Sequence, residues 1–429
     1  MKLFFALLLA IAGSALAEKV SYKNYKVYKI TPKNDQALQA LRNLDEAVTE
    51  FSRFQFWESP SKLGRNATLM VAPEMQESME NMFEDLDIHS QVMIENVQDA
   101  INRESPRNAR NIARIPVDWT DYNTLDEINE WLESLAVEFP DVITILKPGK
   151  SHLGRDIVGV KFDLTPNVEK EVVFMESNIH AREWITSAVN NYILNDLLRN
   201  ETNRWLAANY TWYFFPVMNP DGFAYSHEVN RMWRKTRTRY NIFCYGADPN
   251  RNWAYQWMNG GSSQNPCSEI YAGPRAFSEP SVDVMKDFIA SVAENMVAYI
   301  DFHSFSQMLL LPFGHTTDPL MNYDEMMEIA EVALEELRQV HGTEYVWGNI
   351  AETIYIASGS SMDWVKGEFE VPIAYTYELR DRGLHGFILP ADQILPTAEE
   401  TLVSLLSIFR QYRERHPDGL KLKNKVSGV

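Results

Sequence analysis

The apolar and polar positions of the first hundred residues follow the pattern of a small mixed domain. The predicted strands are 20–30, 51–57, 69–72 and 88–94, and the predicted helices are 35–44 and 74–86. This order, strand, helix, strand, strand, helix, strand, is typical of the split ferredoxin-like arrangement. The pattern therefore predicts a separate α+β domain that precedes a larger one.

From about residue 115 to residue 416, apolar runs alternate with amphipathic stretches. The predicted strands are 142–146, 157–164, 171–175, 212–217 and 371–379, and the predicted helices are 124–137, 184–198, 279–295, 321–339 and 398–416. Nearly continuous apolar strands between helices are typical of a sheet that is buried on both faces. We therefore expect an α/β domain with a mixed β-sheet flanked by helices, and a loose tail over residues 417–429.

The first 17 residues have the pattern of a secretory signal peptide. Lys2 precedes an apolar stretch that ends in Ala15-Leu16-Ala17, and no later segment offers about 18 uninterrupted apolar residues. We expect cleavage after Ala17 and a secreted, extracellular protein. The net charge of −19, from 40 basic and 59 acidic residues, argues against nucleic acids and anionic membranes as partners.

Residues 95–114 are polar and contain Arg103, Arg107, Arg110 and Arg114, with few apolar side chains. This composition predicts an exposed connector between the two domains. A protease that cuts after arginine would find several sites in it.

The strongest chemical signal lies where the predicted strand 171–175 leads into the next helix. His180 and Glu183 have i, i+3 spacing, which lets an imidazole and a carboxylate converge on one point. His303 follows another apolar run, 297–300, and would complete a set of three ligands. Such a set leaves the fourth tetrahedral position open, as in catalytic zinc sites. His-x-x-Glu alone is more often the solvated start of a helix, so the assignment depends on further motifs.

The string His-Ala-Arg-Glu-Trp at 180–184, with a third histidine 120 residues after Glu183, resembles the zinc metallocarboxypeptidases of the digestive A/B type. The resemblance covers residues from about 18 to 416. It implies one zinc per chain, peptide substrates with a free C-terminus, and a monomer acting in a digestive lumen. It also implies a proenzyme: residues 18–110 form an activation domain with its connecting segment, and a trypsin-like protease cuts after Arg110 to free the catalytic domain 111–416.

The same resemblance assigns the catalytic groups. Glu378 corresponds to the general base that activates the attacking water, and Arg234 to the arginine that stabilises the oxyanion. Asp248 is expected to accept a hydrogen bond from His180 and fix its tautomer. Without the resemblance, Arg234 would belong to a solvated basic run and Glu378 would pair with a neighbouring arginine.

The residues expected to bind substrate are Asn250, Arg251, Tyr355, Arg182, Met362, Gly314 and Ile350. Asn250 and Arg251 would bind the terminal carboxylate, because a guanidinium can donate two parallel hydrogen bonds to a carboxylate. Met362 occupies the position that sets the pocket for the C-terminal side chain. Because the expected lining is uncharged, we expect hydrophobic and aromatic C-terminal residues as substrates, with Lys and Arg poor. Many relatives carry Tyr at the position of Phe305. The hydroxyl group of that Tyr is therefore absent here, and the resemblance does not predict which residues are preferred further along the peptide.

Two other functions are compatible with parts of the sequence. A basic-residue-specific, carboxypeptidase B-like enzyme would need an acid at the pocket floor, where Met362 stands. An inactive peptide-binding protein would lack a ligand or the base, yet His180, Glu183, His303 and Glu378 are all present.

The chain has two cysteines, Cys244 and Cys267. In an oxidising compartment an even pair predicts one disulfide. The alternative is two buried free thiols.

Overall fold

The computed structural model describes residues 19–49, 51–105, 117–417 and 419 of the 429-residue chain. The predicted signal peptide and the predicted cleavage sites Arg107, Arg110 and Arg114 lie outside these residues, as does most of the predicted tail.

The N-terminal domain has the predicted βαββαβ order. Its four-stranded antiparallel sheet, in the order β2-β3-β1-β4, consists of β1 Lys26–Pro32, β2 Phe54–Glu58, β3 Ala67–Val71 and β4 Ile88–Ile94. Helices Asp35–Glu46 and Gln76–Asp85 pack their apolar sides on one face. Asn34 caps the first of them by accepting a hydrogen bond from the amide of Ala37.

The first part of the predicted exposed connector is a docked helix, Val97–Glu104, so that prediction was wrong for these residues. Val97 and Glu104 are buried, and Arg103 lies on the exposed side of the helix. Glu104 accepts hydrogen bonds from Nε and Nη2 of Arg231, the first at 2.7 Å. A buried carboxylate needs such a partner. Arg231 lies 127 residues further along, so no local pattern could show this contact.

The large domain has the predicted mixed sheet flanked by helices. Its eight strands, in the order β11-β10-β12-β9-β7-β8-β6-β5, are β5 Ile143–Leu146, β6 Gly159–Phe162, β7 Glu171–Ser177, β8 Tyr210–Phe215, β9 Met296–Ser304, β10 Met308–Leu311, β11 Val346–Asn349 and β12 Ile373–Leu379. The four central strands are parallel to one another. All nine residues of β9 are buried, as expected for a strand covered on both faces.

The helices of this domain are Leu125–Glu138, Trp184–Arg199, Arg204–Asn209, Pro220–Glu228, Pro280–Val292, Tyr323–His341, Ile350–Thr353, Ser361–Phe369 and Ile394–Arg415. The last packs against Trp184–Arg199 and Tyr323–His341. None of the helices in the described ranges is long and apolar enough to cross a membrane.

The carboxyl ends of β7, β9 and β12 lie at one edge of the sheet, because these neighbouring strands run parallel. In open α/β sheets, this edge is where binding sites form. The register places His303 directly beside Glu378.

Candidate active site

His180, Glu183 and His303 converge at this edge. His180 lies in the turn after β7, Glu183 immediately precedes helix Trp184–Arg199, and His303 is the next-to-last residue of β9. The Nδ1 atom of His180 lies 2.9 Å from Oε1 of Glu183, and that of His303 lies 3.0 Å from Oε2. The three buried side chains can each offer a ligand atom within 4.8 Å of the others. Two imidazoles and one carboxylate suit a catalytic zinc with one open position.

Each histidine also has an aspartate at its other ring nitrogen. Nε2 of His180 lies 3.1 Å from Oδ1 of Asp248, and Nε2 of His303 lies 3.0 Å from Oδ2 of Asp301. At His180, the carboxylate at Nε2 keeps the proton there and leaves Nδ1 free to bind a metal. Nε2 of His303 also lies 3.0 Å from the side-chain amide nitrogen of Asn250. The sequence predicted this position for Asp248 and missed Asp301.

The charges around the ligands keep two of the carboxylates ionised. Burial alone would raise the pKa of Glu183, but the two imidazoles hold this pKa below its ordinary value. Burial would also raise the pKa of Asp248, but Arg234 and His180 hold it well below its usual range. Both carboxylates therefore remain ionised at neutral pH, as ligation and tautomer control require.

Glu378 opens into the same cleft from β12. Removal from bulk water raises the pKa of Glu378 to about 8, and the charges of Glu183 and Asp301 add to this shift; His303 opposes it when its ring is protonated. A cation among the three ligands would lower the pKa of Glu378, because a nearby positive charge favours the carboxylate. The neighbouring Arg380 pairs with Glu400 instead of Glu378, so Arg380 does not neutralise the carboxylate of Glu378.

Asn250 and Arg251 form one wall of the cleft, in the short 3-10 helix Pro249–Arg251. Arg251 donates from Nε to the carbonyl of Gly261 and from Nη1 to the carbonyl of Asn250, both at 2.8 Å. Oδ1 of Asn250 accepts a hydrogen bond from the amide of Ser361 at 3.0 Å. These contacts fix both side chains beside the metal site. On the same side, Arg234 donates from Nη2 to Asp248 at 2.7 Å.

The cleft extends into a pocket with mostly apolar walls. The same cavity is lined by Leu310, Gly314, Ile350, Ala357, Met362 and Thr376, and also by Asp301; the sequence had predicted Gly314, Ile350 and Met362 as substrate-binding residues. Met362 is buried at the start of helix Ser361–Phe369. A Cβ on Gly314 would lie 2.7 Å from the carbonyl oxygen of Ala357, so glycine permits the close approach of these two segments.

Tyr355 and Arg182 line the adjoining cleft. The guanidinium of Arg182 stacks 4.0 Å above the ring of Phe387, and burial lowers its pKa to about 10. Tyr355 lines both this cleft and the cavity of the metal site.

The predicted disulfide is present. It joins Cys244 to Cys267, whose Cα atoms are 4.9 Å apart. The bond ties together the long loops that follow helix Pro220–Glu228.

Comparison with known proteins decides the family. Residues 128–404 match the family described as zinc carboxypeptidase. The chain belongs to the zinc carboxypeptidases. Residues 28–104 match the carboxypeptidase activation peptide, so this carboxypeptidase is made as a proenzyme. It is a zinc-dependent peptide hydrolase, as the resemblance implied.

Individual relatives agree with this assignment. Zinc carboxypeptidase A 1 of Anopheles gambiae is 43% identical over 420 residues, which cover 95% of this chain and 96% of the relative. Zinc carboxypeptidase of Simulium vittatum is 49% identical over 296 residues, 68% of this chain and 97% of the relative. The crystal structure of the carboxypeptidase A from Helicoverpa armigera has a TM-score of 0.83 at 27% identity, covering 92% of this chain and 98% of that one.

The activation peptide of this carboxypeptidase covers the cleft. Trp57, Glu58, Ser59 and Arg65 line the same cavity as the metal-site residues. The ring of Trp57 packs against Phe305 and Phe387, at centroid distances of 6.4 and 5.4 Å. Arg65 donates to the carbonyl of Thr353, and Glu58 accepts from the hydroxyl of Ser306 at 2.9 Å. A peptide substrate would need the space that these side chains occupy.

Proposed function

We propose that this carboxypeptidase is secreted as a monomeric proenzyme, and that a trypsin-like protease activates it by cutting after Arg110. The freed domain, residues 111–416, then removes single C-terminal residues with hydrophobic or aromatic side chains from extracellular peptides. The observation that carries this proposal is the position of Asn250 and Arg251, which lie in one cleft with the metal site and Glu378. A carboxylate held by them would lie one residue from the bond to be cut.

In this proposal His180, Glu183 and His303 hold the zinc. When bound, zinc polarises the scissile carbonyl and makes water more acidic. Glu378 takes a proton from the attacking water and passes it to the leaving amine. Arg234, held by Asp248, donates to the oxyanion as it develops.

The remaining residues position the peptide. Arg251 and Asn250 bind the terminal carboxylate, since a fixed guanidinium matches its two oxygens. Tyr355 closes over the bound residue, and Arg182 contacts the peptide one residue further in. Met362, Gly314 and Ile350 surround the last side chain, and burial of an apolar group against them favours binding.

The C-terminal preference can be tested with peptides that differ only in their last residue. We expect the cleaved enzyme to hydrolyse peptides ending in Phe or Leu with a kcat/KM about 100-fold above those ending in Asp or Glu. An acidic side chain would lie among Leu310, Ile350 and Met362, where burying a charge is costly. Equal kcat/KM values for Phe and Glu would contradict the proposed pocket.

A further inference from the structure

A layer of buried polar side chains lies behind the metal site. Tyr299 and Asp301 share strand β9 with His303, and strand alternation places all three side chains on one face of the sheet. Glu176 of the neighbouring strand β7 is paired with Asp301. The side chains of Tyr299, Asp301 and Glu176 are all fully buried. No step of the proposed hydrolysis uses Glu176 or Tyr299.

Glu176 is connected to the residue that is proposed to bind the terminal carboxylate of the substrate. Oε1 of Glu176 accepts a hydrogen bond from the hydroxyl of Ser361 at 2.6 Å. The backbone amide of Ser361 donates to Oδ1 of Asn250 at 3.0 Å. Because this bond occupies the oxygen of the Asn250 amide, the amide nitrogen is turned toward the metal site, 3.0 Å from Nε2 of His303. Ser361 therefore fixes the orientation in which Asn250 can donate to a carboxylate.

Three oxygen atoms of this buried layer have no hydrogen-bond partner among the described residues. They are Oε2 of Glu176, Oη of Tyr299 and Oδ1 of Asp301. Burial raises the pKa of Tyr299 well above its ordinary value, and the charges of Glu176 and Asp301 add to this shift, so the three groups are close neighbours. Buried polar atoms without a protein partner are costly, and an ordered water that makes about three hydrogen bonds commonly satisfies them.

The protons available in this layer suit one water molecule. Burial and the charge of Asp301 raise the pKa of Glu176 to about 8, so Glu176 keeps a proton at neutral pH. Since Oε1 accepts from Ser361, this proton lies on Oε2. Glu176 and Tyr299 are then two donors, and Asp301 is an acceptor. A water that accepts from the two donors and donates to Oδ1 of Asp301 satisfies all three atoms.

We propose that Glu176 is a positioning residue for both His303 and Asn250. It reaches His303 through one ordered water and Asp301, whose Oδ2 lies 3.0 Å from Nε2 of the imidazole. It reaches Asn250 through Ser361. The inference rests on the proposed function, in which His303 binds zinc and Asn250 binds the terminal carboxylate. Groups behind a metal ligand affect metal affinity by orienting that ligand, so Glu176 contributes to zinc binding without touching the metal.

Zinc affinity tests the connection to His303. The trypsin-cleaved enzyme is stripped of zinc, and the zinc dissociation constant is measured by competition with a chelator, which requires no activity. We expect Glu176→Leu to weaken zinc binding about tenfold and Tyr299→Phe about threefold. Glu176→Gln should stay within about twofold of wild type, because its amide can accept from Ser361 and donate to the water. Tyr299→Phe removes a single hydroxyl and carries the test alone if Glu176→Leu does not fold.

Tyr377→Phe is the matched control. Tyr377 is also fully buried, and its hydroxyl is hydrogen-bonded to that of Ser404 at 2.8 Å. It precedes Glu378 in β12 and therefore lies on the other face of the sheet. Loss of this hydroxyl should leave the zinc dissociation constant within about twofold of wild type. Equal weakening by Tyr299→Phe and Tyr377→Phe would indicate general destabilisation and overturn the inference.

Steady-state kinetics at saturating zinc test the connection to Asn250. Ser361→Ala removes the hydroxyl that donates to Glu176 and keeps the backbone amide. We expect it to raise KM for a peptide ending in Phe about threefold and to leave kcat within about twofold, because the bond to Glu176 acts on substrate binding alone. An unchanged KM in both Ser361→Ala and Glu176→Leu would overturn the role of Glu176 in positioning Asn250.

A crystal structure of the cleaved, zinc-loaded enzyme tests the water directly. One water should lie within about 3.2 Å of Oε2 of Glu176, Oη of Tyr299 and Oδ1 of Asp301. Absence of this water, or zinc dissociation constants of Glu176→Leu and Tyr299→Phe equal to that of wild type, would overturn the inference and leave the proposed function standing. If His303→Ala bound zinc as tightly as wild type, the ligands assigned in the proposed function would themselves be wrong.

Discussion

Replacing Glu378 with Gln is expected to lower kcat/KM by about 10²- to 10⁴-fold, the range that a positioned general base contributes. The substitution keeps the size of the side chain and its place beside His303 but removes the group that accepts the proton. The measurement is the steady-state hydrolysis of a peptide ending in Phe by the trypsin-cleaved wild type and variant.

Zinc content distinguishes loss of the base from loss of the metal. Glu378→Gln should retain one zinc per chain, because the predicted ligands are His180, Glu183 and His303. Glu335→Gln, on the exposed side of helix Tyr323–His341, serves as the matched control and should leave kcat/KM unchanged. Release of the zinc by Glu378→Gln would show that the division between ligands and base is wrong.

The uncleaved proenzyme should hydrolyse long peptides about 100-fold more slowly than the trypsin-cleaved form, because the competent open state is a minor population. Trp57 and Arg65 occupy the cleft, and the buried pair of Glu104 with Arg231 holds the connecting helix on the catalytic domain. Activity is followed during limited trypsin digestion, with N-terminal sequencing of the product.

The sequencing result identifies the activating cut. We expect activity to rise together with a new N-terminus at Asn111. Arg110→Gln, which removes the expected trypsin site, should delay activation or move the new N-terminus to a neighbouring arginine. Full activity of the intact chain on long peptides would refute the covering role of the activation peptide.

Local sequence patterns predicted the parts of the site that depend on nearby residues. His180 and Glu183 stand between a strongly apolar strand and a long helix, so their juxtaposition follows from a single turn. The long helices and the central strands β7, β8 and β12 were also predicted, because each has enough residues to establish a period. Of β9, only an apolar run at 297–300 was recognised. Asp301 could have been found by the same reasoning, since strand alternation places it on the face of His303.

Contacts between distant segments could not be predicted in this way. Glu104 lies in a polar, charged stretch, and only its pairing with Arg231 from another domain explains its burial. Strands β10 and β11 have four residues each, too few for a pattern to distinguish strand from loop. They are held in place by pairing with β12 and with each other.

The most direct test of exopeptidase action compares one peptide with its C-terminally amidated twin. After incubation with the cleaved, zinc-loaded enzyme, mass spectrometry should show stepwise loss of single residues from the free acid and no change in the amide. This result is expected because Asn250 and Arg251, fixed in the wall of the cleft, need a terminal carboxylate to hold the peptide. Internal fragments, or equal degradation of both peptides, would contradict the account.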